Sequence, residues 1–110
     1  MGTVFVYITA KDFEQANRIG KTLVEERLAA CANILGGMHS VYRWEGAVVE
    51  DNETVLIVKT VEQMVSKVTE RVKEIHSYSI PCIVALPVVD GNREYLKWIE
   101  IETGISESNK

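Results

Sequence analysis

Cysteine is scarce in this chain: Cys31 and Cys82 are the two present, and neither belongs to a Cys-x-x-Cys pair. A disulfide framework and a zinc knuckle are thereby excluded, and a reduced, cytoplasmic setting is expected. Positive charge is also short. Lys and Arg number 12 against 16 Asp and Glu, a net charge of −4, so the basic excess that draws proteins onto phosphate backbones or anionic lipid is missing. Neither nucleic acid nor membrane is expected as a partner. No apolar run approaches the ~20 residues of a bilayer crossing. The opening residues carry no basic leader, and Val6 fails the myristoylation pattern, so no targeting segment is expected. Repeats, low-complexity tracts and interdomain linkers are missing too, which leaves a single domain over residues 1–104 and a fraying tail at 105–110.

What remains, 46% hydrophobic and 25% charged residues in a chain of 110, is the composition of one compact domain. A domain so small leaves much of its surface in water, and its stability is modest unless subunits associate. Residues 3–10 are apolar on both alternating sets, Val4, Val6 and Ile8 against Phe5 and Tyr7, as in a central strand covered on two faces. From Phe13 the period changes to that of a helix, with Ala16, Ile19, Leu23, Val24 and Leu28 continuing the stripe and Asp12 as its cap, Gln15 three residues on. Residues 31–35 resume a strand, Gly36 and Gly37 suggest a bulge, and 41–45 continue it with Tyr42 and Trp44 on one face. A long hairpin then carries Glu50, Asp51, Asn52 and Glu53 near its return and leads to a strand at 54–59.

Thr60 and Gln63 form a capping-box signal for a second helix, whose apolar positions are Val61, Met64, Val65, Val68, Val72 and Ile75. Pro81 ends that region, 82–89 reads as a strand confined by Pro87 to an edge or bulge, and Asn92 caps a short last helix in which Tyr95, Leu96 and Ile99 share a face. The order is that of an α+β, ferredoxin-like βαββαβ sandwich with an additional C-terminal helix, its two main helices on one face of a four-stranded antiparallel sheet. The other face needs a cover. A second copy of the chain supplies one, since burying ~400 Å² of apolar surface per subunit contributes on the order of 10 kcal/mol before association costs.

Candidates for chemistry are few. His76, Tyr78 and Cys82 fall on one loop, where imidazole and thiolate suit Cu(I) or Zn(II) and exclude Mg(II) or Ca(II). The competing reading makes Cys82 a small buried hydrophobe and His76 a helix C-terminal cap. Cys31 reads as a structural thiol, His39 as an exposed turn histidine, the set Glu45, Glu50, Asp51 and Glu53 as charges that solvate the hairpin, and Tyr42 and Trp44 as interface anchors or a ligand wall. An enzyme is not expected. No nucleophile, base and orienter are legible together; the loop Thr9-Ala10-Lys11-Asp12 has neither arginine nor glycine to cradle a phosphate, and no glycines precede Lys59-Thr60.

Cys31-Ala32-Asn33, Tyr42-x-Trp44-x-Gly46, Lys59-Thr60, His76-x-Tyr78-x-x-Pro81 and Tyr95-Leu96-x-Trp98 stand in an order and spacing that resembles the CutA divalent-cation tolerance family over nearly the whole chain. The resemblance implies a PII-like homotrimer with sheets packed around the threefold axis and a role in tolerance of copper or other heavy metals. Family members usually carry proline after the motif histidine and glutamate after the motif proline; this chain has Ser77 and Cys82. His76 therefore carries over as a metal candidate and the carboxylate does not. Cys82 either puts a soft sulfur donor in its place or marks a lost site. The expected function is a non-enzymatic homotrimer of the metal response, requiring no cofactor and holding copper or zinc at His76 and Cys82 with a third donor from a neighbouring subunit. A PII-like trimer that binds a small anion between subunits, and a structural or anchoring protein, are the alternatives.

Overall fold

The computed structural model describes residues 2–104; the tail expected at 105–110 lies outside them. The elements run β1 (Thr3–Ala10), α1 (Phe13–Glu25), β2 (Cys31–Trp44), β3 (Ala47–Val61), a short 3-10 turn (Glu62–Met64), α2 (Val65–Ile75), β4 (Ile83–Pro87) and α3 (Arg93–Glu102). The sheet order is β2-β3-β1-β4, every neighbouring pair antiparallel, which is the split βαβ arrangement with one added helix. Val4, Val6, Ile8 and Ala10 of β1 and Leu56 and Val58 of β3 pack with Ala16, Ile19 and Leu23 of α1 and Val68 and Val72 of α2. Each valine, leucine or isoleucine among them contributes about 1.5–3 kcal/mol through burial, and together they hold both helices on one face. Ala30, Val61 and Ile99 make a second, smaller core beneath α3.

Helix α1 begins as its cap predicts: Asp12 Oδ1 accepts from the Gln15 N–H at 2.8 Å. Gln15 does not close the box on Asp12; its Oε1 accepts from the Lys11 N–H at 2.9 Å and its Nε2 donates to Ser77 Oγ at 2.7 Å. The helix stops at Glu25, and Arg27 adopts φ 61°. There the guanidinium donates to the carbonyls of Glu102 and Ile101. Leu28, expected on the helical stripe, therefore lies past the helix end, and Phe13 at its start is 58% exposed. Thr60, expected as a cap for the second helix, belongs to β3 and donates its hydroxyl to the Leu28 carbonyl at 2.7 Å, while α2 starts without a side-chain cap. Strand β4 is shorter than the 82–89 expected and forms the sheet edge.

The β2–β3 hairpin turns at Glu45 and Gly46, with φ 51° and 84°, the left-handed pair of a tight two-residue connection. Its acidic group at 50–53 consequently sits within β3 and not at the return. Leu35 pairs with Val55 and Met38 with Glu53, so Gly36 and Gly37 together oppose Thr54. This bulge, with Gly37 at φ 79°, advances the alternation by one, so that Cys31, Asn33 and Leu35 share the face away from α1 and α2, helix-free except where α3 meets Val61 and Lys59, with Met38, Ser40, Tyr42 and Trp44. Tyr7 confirms the side by donating its hydroxyl to Met38 Sδ at 3.4 Å. Pairing of β1 with β3 ends at Ala10 and Thr54, so residues 38–53 project as a two-stranded ribbon and stretch the molecule to 52 × 26 × 22 Å. Among the described residues no helix is long and apolar enough to cross a membrane.

Candidate functional site

Where the ribbon leaves the sheet, Thr9 at the end of β1, Ser40, Tyr42 and Trp44 of β2, Asp51 and Glu53 of β3, and Tyr78, Ile80 and Cys82 of the loop before β4 line a cavity of about 540 Å³. Alternation places the strand residues there: with the bulge in β2, positions 40, 42 and 44 share a face with 51 and 53. Two hydroxyl-to-carboxylate bonds tie the walls together. Tyr78 donates to Glu53 Oε2 at 2.7 Å, joining loop to ribbon, and Tyr42 donates to Asp51 Oδ2 at 3.3 Å across the two strands.

The titratable groups register this setting. Burial, the hydrogen bond to Glu53 and the charge of that carboxylate push the Tyr78 phenol well above its ordinary range. Tyr42 moves the same way through burial and then Asp51, and the Cys82 thiol is raised by burial first and by Glu53 second. All three are thus held toward their neutral, protonated forms.

His76 does not line this cavity; it lines a separate depression with Arg18, Glu74 and Ser77. Its Nε2 lies 2.8 Å from the Thr9 carbonyl, while the Tyr78 N–H donates to its Nδ1 at 3.0 Å, and its ring tilts against that of Tyr78 at 4.6 Å. The pattern assigns the proton to Nε2 and engages both nitrogens with backbone. The two candidate donors thus border different cavities, and a metal ion on His76 would displace one of these bonds. Among the described residues no three His, Cys, Asp or Glu side chains stand together as a metal-holding group, so the donors of one chain do not fit a resident ion. His39 lies on the exposed ribbon, where Nε2 meets Glu50 Oε1 at 2.8 Å and Nδ1 meets Asn52 Oδ1 at 3.3 Å. Cys31, half-buried with a free thiol, starts β2 on the helix-free face. The sequence reading took Asp51 and Glu53 for charges that solvate the hairpin; counting the alternation across the Gly36-Gly37 bulge is the signal that puts them on the same face as Tyr42 and Trp44.

A family model described as CutA1 divalent ion tolerance protein matches residues 4–102. The chain belongs to the CutA family. It is 56% identical over 90% of its length to the "Divalent-cation tolerance protein CutA" of Thermus thermophilus, of which it covers 96%. The rice "Protein CutA 1, chloroplastic" is 43% identical over 92% of this chain, which spans 57% of that longer protein. Among solved structures, CutA1 from Oryza sativa superposes with a TM-score of 0.90 at 41% identity, covering 93% of this chain and 94% of that one. The CutA of Archaeoglobus fulgidus gives 0.89 at 42% identity, with 92% and 98% covered. Against the usual CutA pattern, Ser77 replaces a proline and uses its hydroxyl to receive Gln15 Nε2, tying the loop to α1. Cys82 puts a thiol, where CutA sequences usually have glutamate, on the wall shared with Glu53.

Proposed function

We propose that this chain is a non-catalytic homotrimer of the divalent-cation tolerance response, assembled through the helix-free face of its sheet, and that copper or zinc reaches it as a transient cargo at sites which subunit association completes. The observation that carries the reading is the uncovered apolar face. Leu35, Val84 and Leu86 lie on it at 56%, 49% and 49% exposure, and the ribbon beyond it is a two-stranded structure of the kind that is marginal in water without packing support. The tolerance role rests on the relatives that bear that name, from Thermus thermophilus and Pyrococcus horikoshii.

The metal part of the reading rests on Cys82, the candidate donor that borders the open cavity. A thiolate selects copper or zinc over magnesium or calcium, and the remaining donors come from a neighbouring copy. His76 serves this reading as the anchor of the loop that presents Cys82. Competition titrations with Zn(II) and Cu(I) under anaerobic reducing conditions test it. Cys82→Ser is expected to weaken binding by tenfold or more, about 1.4 kcal/mol, and His76→Ala by less. Equal affinity of the wild-type and Cys82→Ser proteins would overturn the metal reading.

A further inference from the structure

Between β4 and α3 the chain crosses residues 88–92, which belong to neither helix nor strand. The Val88 N–H donates to the Thr3 carbonyl at 3.0 Å, so this crossing lies at the end of the sheet opposite the ribbon. Asp90 and Gly91 are exposed within it, and the Gly91 N–H donates to Asp90 Oδ1 at 2.8 Å. Because Oδ1 is bonded to Cγ, the same contact holds the amide nitrogen beside the side-chain carboxyl carbon, and a bond between the two would close a five-membered ring. Glycine leaves that closure unobstructed, having no Cβ in the path and the least restricted backbone of any residue. The other two aspartates of the chain lack these conditions. Asp12 accepts from the Gln15 N–H and is followed by Phe13, the first residue of α1. Asp51 and the Asn52 that follows it are both paired in the β2–β3 ladder. No asparagine of the chain precedes a glycine.

We propose that Asp90-Gly91 is a site of spontaneous isoaspartate formation, and that the modification loosens the start of α3. The Gly91 nitrogen bonds to Cγ of the Asp90 side chain in its acid form, and the acid's OH leaves with the amide hydrogen as water, giving a succinimide. Water then adds to the main-chain carbonyl carbon of Asp90 and breaks its bond to the Gly91 nitrogen, so the chain runs on through Cγ with no net change in mass. The main chain is then one carbon longer and carries a free α-carboxylate. Two residues on, Asn92 Oδ1 accepts from the Glu94 N–H and the Asn92 carbonyl from the Leu96 N–H, both at 3.0 Å. The longer link draws this cap out of place and frees the first turn of α3. The last turn stays under Arg27, whose guanidinium donates to the Ile101 and Glu102 carbonyls.

The full chain is aged at mildly acidic pH and physiological temperature, and isoaspartate is located by peptide mapping and quantified by methyl transfer from S-adenosylmethionine with an L-isoaspartyl methyltransferase. Residue 90 is expected to exceed Asp12 and Asp51 by about tenfold or more. Gly91→Ala tests the ring without disturbing the fold, since an added Cβ meets only Leu96, at an ordinary contact distance of 3.9 Å. It is expected to slow the reaction about tenfold. Asp90→Glu, whose longer side chain would need a six-membered ring, is expected to abolish it. In the aged fraction, amide exchange should quicken in the first turn of α3 and not in its last. Equal isoaspartate at the three aspartates, or an unchanged rate in both variants, overturns the site. Exchange that is unaltered, or raised equally at both ends of α3, overturns the consequence for the helix. No metal enters these readouts, and each outcome leaves the copper and zinc titrations unaffected.

Discussion

His76 acts through its two nitrogens at once, fastening the loop after α2 to the end of β1 through Thr9 and shaping the turn to Tyr78. Removing the ring in His76→Ala leaves a carbonyl and an N–H without their partners, and each lost bond is worth about 0.5–1.5 kcal/mol. Urea denaturation should therefore show a loss of roughly 1–3 kcal/mol, whether or not metal is present. At Cys82 the consequence is kinetic. Its raised pKa, from burial and then from Glu53, keeps the thiol protonated near neutrality, so alkylation by iodoacetamide should be slow and should accelerate at pH 8 in Glu53→Gln. Because the folded thiol binds its proton more tightly than the unfolded one, its contribution to stability is present below the ordinary thiol pKa and declines as pH rises through the raised value. Peptide mapping of the alkylated protein between pH 7 and 10 checks both the rate and its midpoint, the range being about that of a thiol titration.

Among the elements, the ribbon is the one whose stability is conditional. His39 bridges its strands to Glu50 and Asn52, and its pKa is raised by the Glu50 hydrogen bond first and by Asn52 second. A histidine raised in the fold stabilises it fully below the unfolded pKa of about 6.5 and loses that contribution as pH climbs through the higher folded value. NMR titration of the His39 ring should thus give a midpoint above about 6.5, returning toward it in Glu50→Gln, with amide exchange in the ribbon quickening on the alkaline side. An unmoved midpoint in Glu50→Gln would remove the bridge from consideration. The helices and strand order were legible because their signals are local: a 3.6-residue stripe, Asp12 before it, Asn92 before α3, whose Oδ1 accepts from the Glu94 N–H at 3.0 Å. Thr60 misled because a threonine near the end of a strand and one at a helix cap have the same surroundings in sequence, and the carbonyl that takes its hydroxyl, on Leu28, lies 32 positions away. Asp51 and Glu53 resembled solvated hairpin charges for a similar reason; their facing aromatics belong to the other strand, across a turn whose position at Glu45 and Gly46 sets the register.

For the whole molecule the decisive asymmetry is between a face covered by α1 and α2 and a face that a single chain covers only at one end, where Ile99 of α3 packs on Val61 and Tyr95 meets Lys59. Leu86 pairs with Phe5 in the edge of that bare face, and Leu35 and Val84 extend it. Light scattering should return three times the 12.4 kDa chain mass for the wild type at micromolar concentration, and Leu86→Glu should shift it toward a single chain, since a carboxylate buried without a partner costs several kcal/mol. A wild-type mass of one chain would dismiss the trimer. A strand also has a reading frame, two residues long, and the glycine pair in β2 works as a frameshift within it. Upstream the odd-numbered residues look toward the helix-free side; downstream the even-numbered ones do. Regular pairing through both glycines would turn Ser40, Tyr42 and Trp44 away from Asp51 and Glu53, whereas deleting Gly37 leaves Gly36 alone opposite Thr54 and keeps Leu35 and Met38 on one face, so the wall is expected to survive the deletion. The two-against-one pairing at Thr54 is thus what lets a strand with this spacing bring the aromatic walls and the carboxylates of β3 together.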